Sequence, residues 1–114
     1  MWDHIDRKTK QLLRGKIRQI FRWSNEKKSF MSTAQFREDY NGKNRLCVFC
    51  RHCGVVMPKS SKLYSVDHIE PCGEIAPQFV ANMFDVHNMQ ILCNECHDEK
   101  TKIDRKDIRD RQLL

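Results

Sequence analysis

The chain is 114 residues long, with a formal net charge of +6 and six cysteines. That length suits a single domain with a modest core, which a structural metal would reinforce, and the cysteines are too sparse for a disulfide scaffold. No apolar run reaches the roughly 18 residues that a spanning helix needs and no apolar leader opens the sequence, so a soluble protein of a reducing, intracellular compartment is expected, away from membranes.

The charge is uneven. Residues 1–28 hold nine Lys/Arg against three Asp/Glu, which is the whole excess, whereas residues 95–114 hold six of each. From Ile5 to Trp23, Ile5, Leu12, Leu13, Ile17, Ile20 and Phe21 recur every three or four positions, the period of an amphipathic helix. Arg7, Arg14, Arg18 and Arg22 fall on its other faces, and so basic a surface suits a polyanion. Ser24 to Lys28 reads as a polar break, after which Ser32 or Thr33 can cap a second, short helix running to Glu38 or Tyr40. Tyr40 to Asn44 is a turn, because Asn41 and Gly42 both tolerate positive φ, and the helical extension of residues 1–44 ends there.

Beyond it, Leu63 to Ile69 is rich in β-formers and predicts a strand, stopped by Pro71 and Gly73, that presents Asp67 and His68 at its end. Pro77 suits a first helical position, followed by an apolar stripe of Phe79, Val80, Met83 and Phe84 that belongs in a core. Met89 to Cys93 predicts another strand. Asn94 can cap a last helix through Lys100 and Ile103 towards Ile108, with His97 in its first turn.

Two knuckles, Cys50-x2-Cys53 and Cys93-x2-Cys96, have the spacing of a closed tetrahedral zinc site. Cys47-x2-Cys50 offers a competing register. Gly54 favours the later pair, since a knuckle turns most easily through glycine, and Cys47 and Cys72 are then buried small hydrophobes. Zinc on four thiolates would lower the net charge by about two, to about +4.

The segments Ser65–Pro71 (SVDHIEP), Asn88–Thr101 (NMQILCNECHDEKT) and Cys50–Gly54 (CRHCG) resemble the HNH endonucleases, and the whole chain is similar to the small HNH proteins of phages. The resemblance implies an α+β fold: a ββα-metal core at residues 45–114, stapled by a four-cysteine zinc site and preceded by the basic helical extension. It implies Asp67 and His97 as ligands of a catalytic divalent ion, His68 as general base, and Asn88 as the residue that steadies the loop and the base. Thr101 stands where some members carry a further histidine, which leaves the ion two protein ligands. His97 also has a competing use, as a donor to a knuckle thiolate or as a zinc ligand.

Phosphodiester hydrolysis needs an activated water, neutralisation of the transferring phosphoryl group and a stabilised leaving oxygen. A carboxylate with an imidazole suits magnesium, manganese, nickel or zinc, and a histidine titrates near neutral pH. The expected partner is double-stranded DNA, contacted through phosphates by Arg14, Arg18, Arg22 and Lys100. The phage resemblance adds the host cytoplasm and a terminase or other packaging component. The competing reading is a non-catalytic zinc-knuckle protein that binds DNA or serves packaging.

Overall fold

The computed structural model describes residues 4–72 and 77–112, so the strand stop expected at Gly73 lies outside the described residues. The fold is α+β, and the chain divides into two compact units, each assembled from two segments: residues 1–33 with 68–89, and residues 34–67 with 90–114. Among the described residues, no helix is long and apolar enough to cross a membrane.

The first unit is helical. Helix α1 (Arg7–Arg22) starts where Asp6 accepts the Thr9 N–H at 2.7 Å. The residues expected to break the chain instead start the next helix. The Ser24 hydroxyl donates to the Phe21 carbonyl at 2.8 Å, closing α1, and accepts the Lys27 N–H at 3.2 Å, capping α2 (Asn25–Ala34). The second helix therefore ends where it was expected to begin, and Thr33 spends its hydroxyl on the Ser29 carbonyl inside it.

Helix α3 (Pro77–Phe84) begins at proline as expected and leads into a 3₁₀ turn, Val86–Asn88. Phe21, Phe79, Met83 and Met89 are buried in this unit, with the Phe21 ring 4.9 Å from that of His68 and 5.9 Å from that of Phe84. The buried stripes are narrower than their periodicity suggests. Phe21 is the one buried residue of α1, while Leu12, Ile20 and Val80 are exposed.

The second unit opens with a hairpin in place of the helix expected to run to Glu38 or Tyr40. Strand β1 (Phe36–Tyr40) pairs antiparallel with β2 (Lys43–Phe49), Tyr40 opposite Lys43. The two-residue connection puts Asn41 at φ 52° and Gly42 at φ 82°, the pair of positive values that a tight hairpin with native twist demands. Strand β3 (Val56–Pro58) pairs with the other edge of β2.

A separate two-stranded sheet joins β4 (Tyr64–His68) to β5 (Met89–Cys93), and helix α4 (Asn94–Gln112) follows β5 directly. Asn94 is the first residue of α4. Its N–H donates to the Leu63 carbonyl and its side-chain amide to the Lys62 carbonyl, both at 3.0 Å, which ties the helix start to the approach of β4. Cys47, Val48, Cys50, Met57, Ile91 and Leu92 are buried in this unit.

Candidate functional site

Both cysteine pairs lie in the second unit. The first sits in the turn after β2, where the Gly54 N–H donates to the Cys50 carbonyl at 2.9 Å and Gly54 takes φ +81°. A side chain is strained at that φ, so the glycine that favoured the later register is required by the backbone. The second pair spans the end of β5 and the first turn of α4. The Arg51 N–H donates to the Ile91 carbonyl at 2.8 Å and fastens the first knuckle to β5.

The sulfurs of Cys50, Cys53, Cys93 and Cys96 lie within 4.8 Å of one another, with Cys53 and Cys93 at 3.8 Å. Four thiolates about 2.3 Å from a central ion stand about 3.8 Å apart at the corners of a tetrahedron. The quartet therefore fits a metal ion, and Cys47, fully buried in β2, is not part of it.

The thiol acidities agree with this. Burial pushes Cys50 up, but backbone N–H groups of Cys53, Cys93 and His52 outweigh it and bring the thiol down to about 6. The neighbouring Cys93 sulfur, burial and the Cys50 and Cys53 sulfurs drive Cys96 up to about 12. The Val55 N–H draws Cys53 down, yet burial and its sulfur neighbours leave it raised. Without a cation, one negative charge is easy to place in the cluster and further ones are not. A bound cation removes that limit.

Asp67 and His97 come together in the same unit. Asp67 on β4 and His97 in the first turn of α4 place Oδ1 and Nε2 3.6 Å apart. Two ligands about 2.1 Å from one ion stand roughly 3.0–3.4 Å apart, so a shift of a few tenths of an ångström suffices for both to grip it. Among the described residues, no third histidine, cysteine or carboxylate completes a cluster with them. Thr101, one turn after His97, donates its hydroxyl to the His97 carbonyl at 2.9 Å and is turned to the backbone.

The other oxygen of Asp67 is engaged from two sides. Lys100 Nζ lies 3.0 Å from Oδ2, and Gln90 Nε2 donates to the same oxygen at 3.0 Å. Lys100 also bonds Asp104 at 2.5 Å, one helical turn further along α4. Burial depresses the Lys100 ammonium, but the bonds to Asp104 and Asp67 more than offset it and its pKa is raised. Sequence reasoning missed Gln90 and Asp104. The signals were a polar residue inside an apolar strand and an i,i+4 Lys–Asp pair.

His68 and Asn88 belong to the first unit. His68 Nε2 is 2.9 Å from the Met83 carbonyl, which can only accept, so Nε2 carries a proton. Asn88 is buried and locks the segment after β4: its Oδ1 accepts the Glu70 N–H at 2.8 Å, and its Nδ2 donates to the carbonyls of Glu70 and Asn82 at 3.1 Å each. It steadies the loop and not the imidazole directly.

The basic residues of α1 separate into two kinds. Arg18 and Arg22 are exposed, whereas Arg14 is half-buried with its guanidinium 5.8 Å from the centre of the Phe79 ring. Arg14 thus packs against Phe79. His87 is exposed beside Asp85, which accepts the His87 N–H at 2.9 Å. No protein-family model, curated protein or solved structure matches the chain.

Proposed function

We propose that the protein is a zinc-stapled endonuclease of the HNH type that hydrolyses phosphodiester bonds of double-stranded DNA. The observation that carries this reading is the approach of the Asp67 carboxylate and the His97 imidazole to 3.6 Å, one from a two-stranded sheet and one from the helix after it. That sheet followed by α4 has the order of a ββα-metal core. The four-cysteine cluster serves as the staple, with zinc the cation that four thiolates at this spacing suit best.

A divalent ion on Asp67 and His97, whether magnesium, manganese, nickel or zinc, would supply Lewis acidity at the scissile phosphate and at the leaving 3′ oxygen. His68 follows Asp67 directly in the chain, and its Nδ1 takes the proton of the attacking water, while Nε2–H on the Met83 carbonyl fixes the tautomer. The water oxygen bonds to phosphorus as the bond to the 3′ oxygen breaks. A 5′ phosphate and a 3′ hydroxyl result once solvent protonates the leaving oxygen. Asn88 holds the backbone after His68 in place, and Lys100 balances charge at Asp67. Arg18 and Arg22 offer exposed cations to DNA phosphates, so affinity carries little sequence preference.

A second reading, a zinc-knuckle protein that binds DNA or assists packaging beside a terminase without cutting, is favoured by the Lys100 ion pair, because a cation already sits on Asp67. Supercoiled plasmid incubated with each divalent ion separates the two. The nuclease reading expects nicking by wild type and a loss of at least about 10²-fold in His68→Ala with metal content and DNA affinity retained. Absence of nicking with every ion, or equal nicking by His68→Ala, overturns it in favour of the binding protein.

A further inference from the structure

The second unit contains a cavity of about 380 Å³ beside the Asp67 carboxylate, assembled from three elements. The first knuckle contributes Arg51 and His52, and β5 contributes Gln90 and Leu92, two residues apart and so on one face of the strand. Helix α4 adds Glu99, Lys100 and Ile103, together with Cys96 of the thiolate cluster, all on one helical stripe.

We propose that this cavity is a nucleotide site, taking a nucleoside monophosphate, free or as one unit of a nucleic-acid strand. Its volume lies at the lower end of the roughly 300–1,000 Å³ of small-ligand pockets and suits one nucleotide better than several. Arg51 is exposed and its side chain forms no ion pair with any described residue, so its planar fork can take two phosphate oxygens. Lys100 lines the same cavity with its ammonium paired to Asp67 and Asp104, so Arg51 is the cation that a phosphate would meet.

Ile103, exposed at the cavity wall, gives an apolar surface that inorganic phosphate would leave uncovered and that a base or sugar covers. Gln90 donates its amide N–H to Asp67, which leaves its Oε1, with the Glu99 carboxylate, as acceptors for a base N–H or a sugar hydroxyl. Glu99 also repels a second phosphate. A wholly apolar ligand would leave Arg51 unused, and a polyphosphate would meet Glu99. The site needs no divalent ion and no cleavage, so it goes beyond the nuclease reading and stands or falls separately from it.

The test uses the full metal-loaded chain without added divalent ion, titrated with dAMP, deoxyadenosine, inorganic phosphate and a short single-stranded oligonucleotide, and followed by amide NMR shifts. The expected result is dAMP binding at about 1 mM or tighter with shifts at Arg51, Gln90 and Ile103, and with phosphate and deoxyadenosine each about tenfold weaker. Arg51→Gln and Ile103→Asp should each weaken dAMP about tenfold while the metal content stays unchanged. Tighter binding of the oligonucleotide than of dAMP assigns the site to a strand, and the reverse assigns it to the free nucleotide. Equal binding of phosphate and dAMP, or dAMP affinity untouched by both substitutions, overturns the proposal. Plasmid nicking by the same samples decides the nuclease reading and has no bearing on the cavity.

Discussion

The cysteine cluster and the Asp67–His97 pair sit in one compact unit and share α4, yet they are opposite kinds of site. The cluster has four ligands at tetrahedral spacing, each from a turn or element end that backbone hydrogen bonds fix. The pair has two ligands slightly too far apart for one ion and is already occupied in part by a lysine. Closed coordination suits permanence, and an open, partly neutralised site suits exchange with water and substrate. Committed and uncommitted groups thus lie side by side, and the comparison can be broken at several points.

The largest effect is expected from the cluster. Cys93→Ser, or withdrawal of the metal by a chelator, should cost on the order of 10 kcal/mol in the limit of isolated zinc fingers and less in a domain this size. Amide exchange should rise throughout β2, β3, β5 and α4. Asp67→Ala and His97→Ala should leave that protection in place, and equal unfolding in both sets would erase the distinction between the cluster and the pair. Loading carries a proton signature as well. With Cys50 lowered to about 6, Cys96 raised to about 12 and Cys53 raised, metal uptake at pH 7.5 should release at least the protons of Cys53 and Cys96 into a weakly buffered solution. Metal affinity should accordingly weaken as pH falls.

The first unit has its own fixed point, in Asn88. Asn88→Ala leaves the Glu70 N–H and two carbonyls without their partner, a cost of about 2–4 kcal/mol in denaturant unfolding. Asn88→Asp is the sharper variant. It keeps an acceptor for Glu70 but turns a carboxylate oxygen towards the carbonyls of Glu70 and Asn82, so it should destabilise at least as much. Full stability in Asn88→Asp would show that these bonds do not hold the segment.

Much of this was legible in the sequence where a rule is local. The knuckle spacing and Gly54 identify the four sulfurs, because ligand geometry and the φ of a turn leave few choices. Asn41-Gly42 marks its turn for the same reason, and Pro77 and the strand at Met89–Cys93 stand where their residues suggest. The failures came where several residues could play one part. Ser24, Ser32 and Thr33 are all competent caps, and only the packed structure selects Ser24. Strand β1 escaped notice because its three central residues are exposed and leave no apolar alternation to read. Arg14 looks like its neighbours in sequence and is set apart by Phe79, a residue 65 positions away.

A smaller effect is expected at Lys100, the cation that partly commits Asp67. Its raised pKa means that its ion pairs add stability that is fully present below the ordinary lysine value of about 10.5 and lost as pH rises through the higher folded value, so at neutral pH the ammonium is in place. Lys100→Met should therefore tighten manganese binding by about three- to tenfold, followed by the ion's relaxation enhancement of water protons. Asp104→Asn releases Lys100 towards Asp67 and should weaken it. Unchanged manganese affinity in both variants would show that lysine and ion do not compete for this carboxylate.

The smallest effect separates committed from uncommitted charge on α1. Arg18→Gln and Arg22→Gln should each make log affinity for duplex DNA depend less steeply on log salt, by up to about 0.9 for each phosphate that is no longer neutralised. Arg14→Gln should leave that slope alone, because its guanidinium lies against the Phe79 ring, and should instead lower stability by about 1 kcal/mol through weaker cation–π attraction and stem packing. The readouts differ in kind: a salt titration of DNA binding for one pair and a denaturant midpoint for the other residue. If Arg14→Gln flattens the salt dependence as much as its neighbours do, its guanidinium leaves the ring for phosphate when DNA arrives. The burial seen on Phe79 would then be a resting position and not a structural commitment.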